Sequence, residues 1–138
     1  MKNAIPTALD FWQDPQSDII LIYGESECSV YFRCWSDAGV PADYIGRLVF
    51  TDAAAVRSFR CEFVSYQTAQ HSLKSHVLQV MDSDLAREHV EYRKLHYPNS
   101  PIREKTHFLV VGHDIYHEVL ATSFSSTKIS KAGVTSSE

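Results

Sequence analysis

The side chains in this sequence that are best suited to chemistry gather in one stretch, HFLVVGHDIYHEVLA, between His107 and Ala121. This stretch holds three histidines and two carboxylates, namely His107, His113, Asp114, His117 and Glu118. Imidazole and carboxylate groups bind divalent metals and exchange protons near neutral pH. The stretch therefore offers the components of a metal-dependent hydrolase, provided that the fold brings them together.

Whether two of these histidines can share a metal depends on the backbone that carries them. In a helix, His113 and His117 would lie on one face, about 6 Å apart along the axis, and HDIYH would resemble the zinc-protease motif HExxH with a shorter acid in place of its Glu. In a strand they would lie about 13 Å apart, whereas the nitrogens that share one zinc ion each lie about 2 Å from it. Gly112 and its β-branched neighbours favour strands. The sequence therefore predicts a hairpin, with strands over 107–111 and 115–124, and no metal at this site.

The hairpin changes what the five side chains can do. Asp114 and Glu118 would lie four residues apart on one strand, which is too far for direct coupling unless a turn at Asp114 brings them together. His107 and His117 would flank a sheet, and His113 would lie in the turn. We therefore expect no catalytic residue here and treat all five as candidate binding residues.

A second candidate surface comes from the alternating segment Glu27–Trp35. In a strand, successive side chains point to opposite faces. One face would be apolar and look into the core, with Cys28, Val30, Phe32 and Cys34; the other would carry Ser29, Tyr31, Arg33 and Trp35. Tyr31 and Trp35 on this amphipathic face are candidate residues for binding a partner.

The other elements follow from apolar periodicity and turn residues. Strands are predicted over 18–23, 27–35, 44–51 and 77–81, the first of them well buried, and a helix capped by Asp82 or Ser83 is predicted to run to about Tyr97. One helix face would carry Leu85, His89, Tyr92 and His96, and its two histidines would be half-buried at the boundary between helix and sheet. Residues 52–63 either begin a helix or return as a strand, and we favour the strand. Gly46 suggests a bulge or a close approach within its strand, and the polar segment 65–76 is predicted to be a covering loop.

These elements predict an α+β fold: a mostly antiparallel sheet, curved or closed into a half-barrel of about six strands, with one main helix packed on it. A single domain would span residues 18–124, between an irregular N-terminal arm over 1–17 and a flexible C-terminal tail over 125–138.

Composition limits the classes of partner. A chain of 138 residues with 44% hydrophobic content can form one globular core, and its net charge of −4 without a long basic run argues against nucleic acid and anionic membranes. An odd number of cysteines (Cys28, Cys34 and Cys61), with no CxxC pair, favours a reducing compartment and buried thiols. The sequence shows neither a signal peptide nor a long apolar span, so we expect a cytoplasmic protein.

The sequence shows no P-loop, dinucleotide fingerprint, nucleophile elbow or EF-hand loop, so we expect no cofactor. Gly46–Phe50 (GRLVF) followed by an alanine-rich segment, together with the HFLVVGHDIYHEVLA stretch, resembles small uncharacterised single-domain bacterial proteins. The resemblance implies no activity and no catalytic residue. Some small proteins of this sort act as toxin-neutralising immunity proteins, which would fit an acidic domain without enzyme motifs.

Three functions therefore remain open. The first is a non-enzymatic interaction module, either homo-oligomeric or immunity-like, that binds a protein partner through Tyr31 and Trp35. The second is a carrier that holds a small ligand on the concave side of the sheet, under the 65–76 loop. The third is a metal-dependent hydrolase that uses the His107, His113 and His117 region. We favour the first, because no catalytic signature accompanies the aromatic face.

Overall fold

The computed structural model describes residues 2–7, 9, 11–60, 66–68 and 77–131. Within these residues the chain forms eleven strands and one helix. In chain order they are β1 (Lys2–Pro6), β2 (Trp12–Gln13), β3 (Ile20–Tyr23), β4 (Cys28–Asp37), β5 (Val40–Thr51), β6 (Ala55–Arg60), β7 (Tyr66–Thr68), β8 (Val77–Val80), α1 (Asp84–His96), β9 (Thr106–Val111), β10 (Ile115–Ala121) and β11 (Ser123–Ser130).

The strands form two sheets. Sheet 1 has the order β6-β10-β9-β8-β1-β7, and sheet 2 has the order β11-β5-β4-β2, with β3 also paired to β4. Every pairing is antiparallel except that of β1 with β7. The α+β class with mostly antiparallel sheet is therefore confirmed. A single half-barrel of about six strands is replaced by two sheets that are not closed into a barrel.

The main core lies between the inner faces of the two sheets. The apolar face predicted for β4 is confirmed, since Cys28, Val30, Phe32 and Cys34 are all buried in it. Sheet 1 contributes Phe108, Val110, Val119 and Ala121 to the same cluster. The rings of Phe50 and Phe108, one from each sheet, lie 5.5 Å apart between centroids, so aromatic packing joins the sheets.

Gly46 confirms the predicted close approach. A Cβ at this position would lie 2.5 Å from the Phe32 ring and 3.2 Å from the Cys34 sulfur. Only glycine therefore lets β5 pass beside the large Phe32 side chain.

The predictions for both ends of the chain were wrong over part of their length. Residues 1–17 are not simply an irregular arm, because β1 pairs with β8 and β7, and β2 pairs with β4. The tail predicted over 125–138 begins inside β11, which pairs with β5 along its whole length up to Ser130. The ladder with β5 and the packing of Phe124 on Phe50 supply the order that the Ser/Thr-rich sequence does not suggest.

The segment DIILIY forms a strand, but the prediction that it is well buried was wrong. Ile20 and Ile22 are 59% and 48% exposed, because β3 lies at the edge of sheet 2 and they point away from the core. An apolar run predicts a strand but not what covers it.

The ambiguous residues 52–63 contain strand β6, as we favoured, and β8 lies within the strand predicted over 77–81. Helix α1 is confirmed, and the Ser83 side chain accepts a hydrogen bond from the Ala86 amide as its N-cap. Of the two histidines predicted to be half-buried, His89 is half-buried, whereas His96 is exposed, so that part of the prediction was wrong. The segment 65–76, predicted to be a loop, contains strand β7, which pairs with β1. The rest of that segment, Cys61 and the end of the predicted tail lie outside the described residues.

Candidate functional site

The predicted hairpin is confirmed, since β9 and β10 pair from Thr106–Ala121 to Val111–Tyr116. The return strand predicted over 115–124 was too long, because β10 ends at Ala121 and residues 123–124 belong to β11 in sheet 2. Gly112 donates a hydrogen bond to the Ile115 carbonyl at 2.9 Å, which closes the turn. A Cβ on Gly112 would lie 2.8 Å from that oxygen and 2.7 Å from the Ile19 side chain. Because this contact leaves no room for a side chain, the glycine at position 112 determines where the hairpin turns.

The hairpin distributes the five predicted site residues over three places. His107 and Glu118 share the face of sheet 1 that points away from sheet 2, where both are buried. His117 points to the opposite face, between the sheets, and is also buried. His113 and Asp114 are exposed in the turn. The five side chains therefore do not form one constellation.

His107 and Glu118 belong to a buried polar chain that links four elements. The Ser83 hydroxyl lies 2.7 Å from His107 Nδ1, and His107 Nε2 lies 3.1 Å from Glu118 Oε1. Arg57 Nε donates to Glu118 Oε2 at 2.8 Å from the neighbouring strand β6. We call this set Ser83, His107, Glu118 and Arg57 the polar chain.

Ser83 joins the start of α1 to His107. Its oxygen accepts a hydrogen bond from the Ala86 amide and lies 2.7 Å from His107 Nδ1, where the direction of the hydrogen bond depends on the tautomer of the ring. His107 Nε2 faces the Glu118 carboxylate on the other side of the ring. The polar chain therefore extends from the N-terminus of the helix to the carboxylate.

Burial dominates the electrostatics of the polar chain. It lowers the pKa of His107 to about 4, with a smaller contribution from the Arg57 charge, so the ring is neutral at physiological pH. Burial raises the pKa of Glu118, and the charge and hydrogen bond of Arg57 oppose that shift. Glu118 is fully buried whereas the Arg57 side chain is 50% exposed, so the pair reaches solvent only through its cation.

A serine, a histidine and a carboxylate in series are the parts of a nucleophilic triad. Here the serine oxygen is occupied as the N-cap of α1, and Ser83 is 8% exposed. This geometry favours a structural role, in which the polar chain fastens the start of α1 and strand β6 to the central hairpin.

His117 is bound on the other side of the sheet. Its Nδ1 lies 2.6 Å from the Ser58 hydroxyl, and burial lowers its pKa. His113 and Asp114 instead line a cleft of about 320 Å³ at the hairpin tip, together with Asp18, Ile19 and Arg60. Across the described ranges, no group of three His, Cys, Asp or Glu side chains is placed to hold a metal ion.

Tyr31 and Trp35 lie where the alternation placed them, on the outer face of sheet 2. Both are half-buried: Trp35 packs edge-on against Trp12 at 5.8 Å between centroids, and the Tyr31 hydroxyl accepts from Arg47 at 3.2 Å. Ile20 lies directly opposite Tyr31 in the ladder and adds exposed aliphatic surface. We call Ile20, Ile22, Tyr31 and Trp35 the outer face of sheet 2.

A basic cleft is the feature that the sequence reasoning missed. It has a volume of about 360 Å³ and is lined by Asp52, Ala53, Ala54, His89, Arg93, Pro101, Arg103 and Lys105. A signal was present in the sequence, because Arg93, Arg103 and Lys105 fall within one short helix-and-loop segment. Because the net charge of the whole chain is −4, its composition gives no sign of this local cluster of positive charge.

In comparisons with protein-family models, with curated proteins and with solved structures, nothing matches this chain. The resemblance of its GRLVF and HFLVVGHDIYHEVLA segments to small bacterial proteins therefore stays a prediction. No helix in the described part of the chain has both the length and the apolar character needed to cross a membrane.

Proposed function

We propose that this chain is a non-enzymatic interaction protein that associates with a second copy of itself through strand β3 and the outer face of sheet 2. The observation that carries the proposal is the exposure of Ile20 and Ile22, at 59% and 48%, on a strand at the edge of a sheet. Such an edge offers unpaired backbone groups beside apolar side chains, which favours the addition of another strand.

The pattern of β3 suits a two-fold contact. β3 pairs with β4, and no other strand in the part of the chain that the structure describes occupies its second edge. If two copies of β3 paired antiparallel about Leu21, Ile20 of one copy would lie opposite Ile22 of the other. A two-fold contact needs this kind of self-complementarity, and aliphatic cross-strand pairs stabilise it.

Mixed charge on the same face supports self-association over binding to a strongly charged partner. Arg47 donates to Glu27 at 3.2 Å beside Tyr31, so this part of the surface carries both signs. A surface of this composition meets its own copy without like-charge repulsion at the centre.

The proposal is tested by sedimentation equilibrium of the wild type and of an Ile20→Lys, Ile22→Lys variant. We expect a concentration-dependent dimer for the wild type and a monomer with an unchanged circular dichroism spectrum for the variant. Leu95→Lys is the matched control, because Leu95 is apolar and 75% exposed but lies on α1; this variant should still dimerise. A wild type that stays monomeric at millimolar concentration would overturn the proposal and leave a foreign strand, as in an immunity-like role, as the alternative occupant of this edge.

We also propose a cytoplasmic location. The described cysteines, Cys28 and Cys34, are free thiols 3% and 1% exposed. Burial raises the pKa of each to about 11, which keeps them protonated and unreactive. Buried thiols of this kind suit a reducing compartment.

A further inference from the structure

The basic cleft lies between three parts of the chain. Arg93 and His89 come from α1, Arg103 and Lys105 come from the segment that leads into β9, and Asp52 comes from the turn between β5 and β6. Three basic side chains face one carboxylate there, in a chain whose net charge is −4. The fold thus concentrates positive charge in one concave place, which raises the local concentration of small anions.

We propose that this cleft binds the phosphate group of a small phosphorylated molecule. Two guanidinium groups can each make paired hydrogen bonds to phosphate oxygens, and a lysine adds a point charge. The cleft volume of about 360 Å³ falls in the range of small-molecule sites and exceeds the size of a single phosphate ion. The site is separate from the outer face of sheet 2 and does not depend on self-association.

The contacts that hold the basic side chains leave them available to a ligand. Lys105 Nζ donates to Thr122 Oγ1 at 3.2 Å, which uses one of its three hydrogens. Arg103 meets Asp52 at 3.5 Å, and both side chains are well exposed, so this ion pair is weak and a phosphate can replace the carboxylate. The Arg93 guanidinium lies over the Tyr97 ring, 4.7 Å from its centroid, which orients the group and leaves its edge free to donate.

His89 supplies an independent observation at the same place. Its Nδ1 is buried and has no hydrogen-bond partner within the described part of the chain. A buried polar atom without a partner costs free energy, and a ligand oxygen would satisfy it when the ring carries its proton on Nδ1. Burial lowers the pKa of His89, and the neighbouring charges of Lys105 and Arg93 lower it further.

The binding test is an NMR titration with inorganic phosphate and with glycerol 3-phosphate, and with glycerol as the neutral control. We expect both phosphates to shift the His89 ring signals and to raise the pKa of His89, because bound negative charge stabilises the imidazolium opposite Asp52, Arg93, Arg103 and Lys105. Glycerol should have no effect. If neither phosphate moves the His89 signals or its pKa, the proposal is wrong.

Matched variants separate the cleft from the overall charge. Arg93→Gln and Lys105→Gln should each weaken phosphate binding about tenfold, the equivalent of one charge-assisted hydrogen bond. Lys94→Gln removes the same charge from the adjacent helix position, which does not line the cleft, and should leave the affinity nearly unchanged. Equal losses in Arg93→Gln and Lys94→Gln would show only general electrostatic attraction and would overturn the site.

A gain of affinity provides the opposite test. Asp52 adopts φ = 52°, a left-handed conformation that asparagine also tolerates. Asp52→Asn should therefore keep the turn while it removes the competing carboxylate, and phosphate should bind several-fold more tightly. Unchanged or weaker binding in this variant would contradict the proposed displacement of Asp52 from Arg103.

Discussion

Replacing Arg57 with methionine should destabilise the protein strongly at neutral pH and weakly at acidic pH. The change removes the cation 2.8 Å from Glu118 and leaves a fully buried carboxylate without it. Breaking a buried ion pair costs about 3–5 kcal/mol, but water reaches the half-exposed Arg57 side, so we expect a loss of about 2 kcal/mol in the free energy of unfolding at pH 7.5. The free energy is measured by urea denaturation, monitored by tryptophan fluorescence.

The pH dependence identifies the source of that loss. Burial raises the pKa of Glu118, so the native state holds a proton at a higher pH than the unfolded state does, and the stability due to this group falls as pH rises. Without Arg57 this pKa rises further. As the pH falls, the native state takes up a proton on Glu118 before the unfolded state does, so the cost of Arg57→Met should shrink towards about 1 kcal/mol, the value of an ordinary hydrogen bond.

Two controls test the same reasoning. In a Glu118→Gln background the carboxylate is gone, so Arg57→Met should cost under about 1 kcal/mol at both pH values. Arg60→Met, on the same strand but on its opposite face, should have a small effect that does not depend on pH. A loss for Arg57→Met that is the same at pH 5 and 7.5, or the same in the Glu118→Gln background, would refute the reasoning.

Three further predictions concern folding stability. The pKa of His107 lies at about 4, below its unfolded value of about 6.5, so the contribution of this residue to stability is complete above pH 6.5 and is lost as the pH falls towards 4. In denaturation curves measured over this pH range, His107→Gln should remove up to about 3 kcal/mol of this loss of stability in acid. Gly46→Ala should cost about 1–3 kcal/mol through the clash with Phe32, whereas Gly24→Ala, where no atom lies within 4 Å of the new Cβ, should cost under about 1 kcal/mol, as measured by thermal unfolding. Ser83→Ala should lose about 1–2 kcal/mol with the N-cap and the bond to His107, and should raise hydrogen exchange first in α1.

The elements that could be predicted from the sequence are those specified by local residues. Gly112 and its neighbours determine the hairpin turn, the alternation from Cys28 to Cys34 determines the inner face of β4, and Ser83 determines where α1 begins. Each of these depends on contacts within a few residues, so a pattern in the sequence contains the information. The exposure of β3 depends on its place at the edge of a sheet, which no local pattern specifies.

Two of the four residues in the polar chain, His107 and Glu118, could have been placed together from the sequence. Once the turn is placed at residues 112–114, Val111 pairs with Tyr116, and the two-residue period puts His107 and Glu118 on the same face of neighbouring strands. Arg57 and Ser83 could not be found in this way, because they are 61 and 24 residues from their partners. Their contribution depends on the order of strands in sheet 1, which periodicity does not reveal.

The buried Glu118 carboxylate adds little net stability to sheet 1, but its position determines the register in which β10 pairs with its neighbours. Its neighbour Val119 points into the aromatic core beside Phe108, whereas Glu118 points to the other face, where it contacts Arg57 and His107. A slip of β10 by one residue would exchange these two side chains and place the carboxylate in the core between the sheets. An unpaired buried charge costs several kcal/mol, which is much more than the slip could regain from an equally good backbone ladder. The polar chain therefore fixes the register of the central hairpin. The two surfaces that we propose for binding, the outer face of sheet 2 and the basic cleft, contain none of its residues and are not needed for this register.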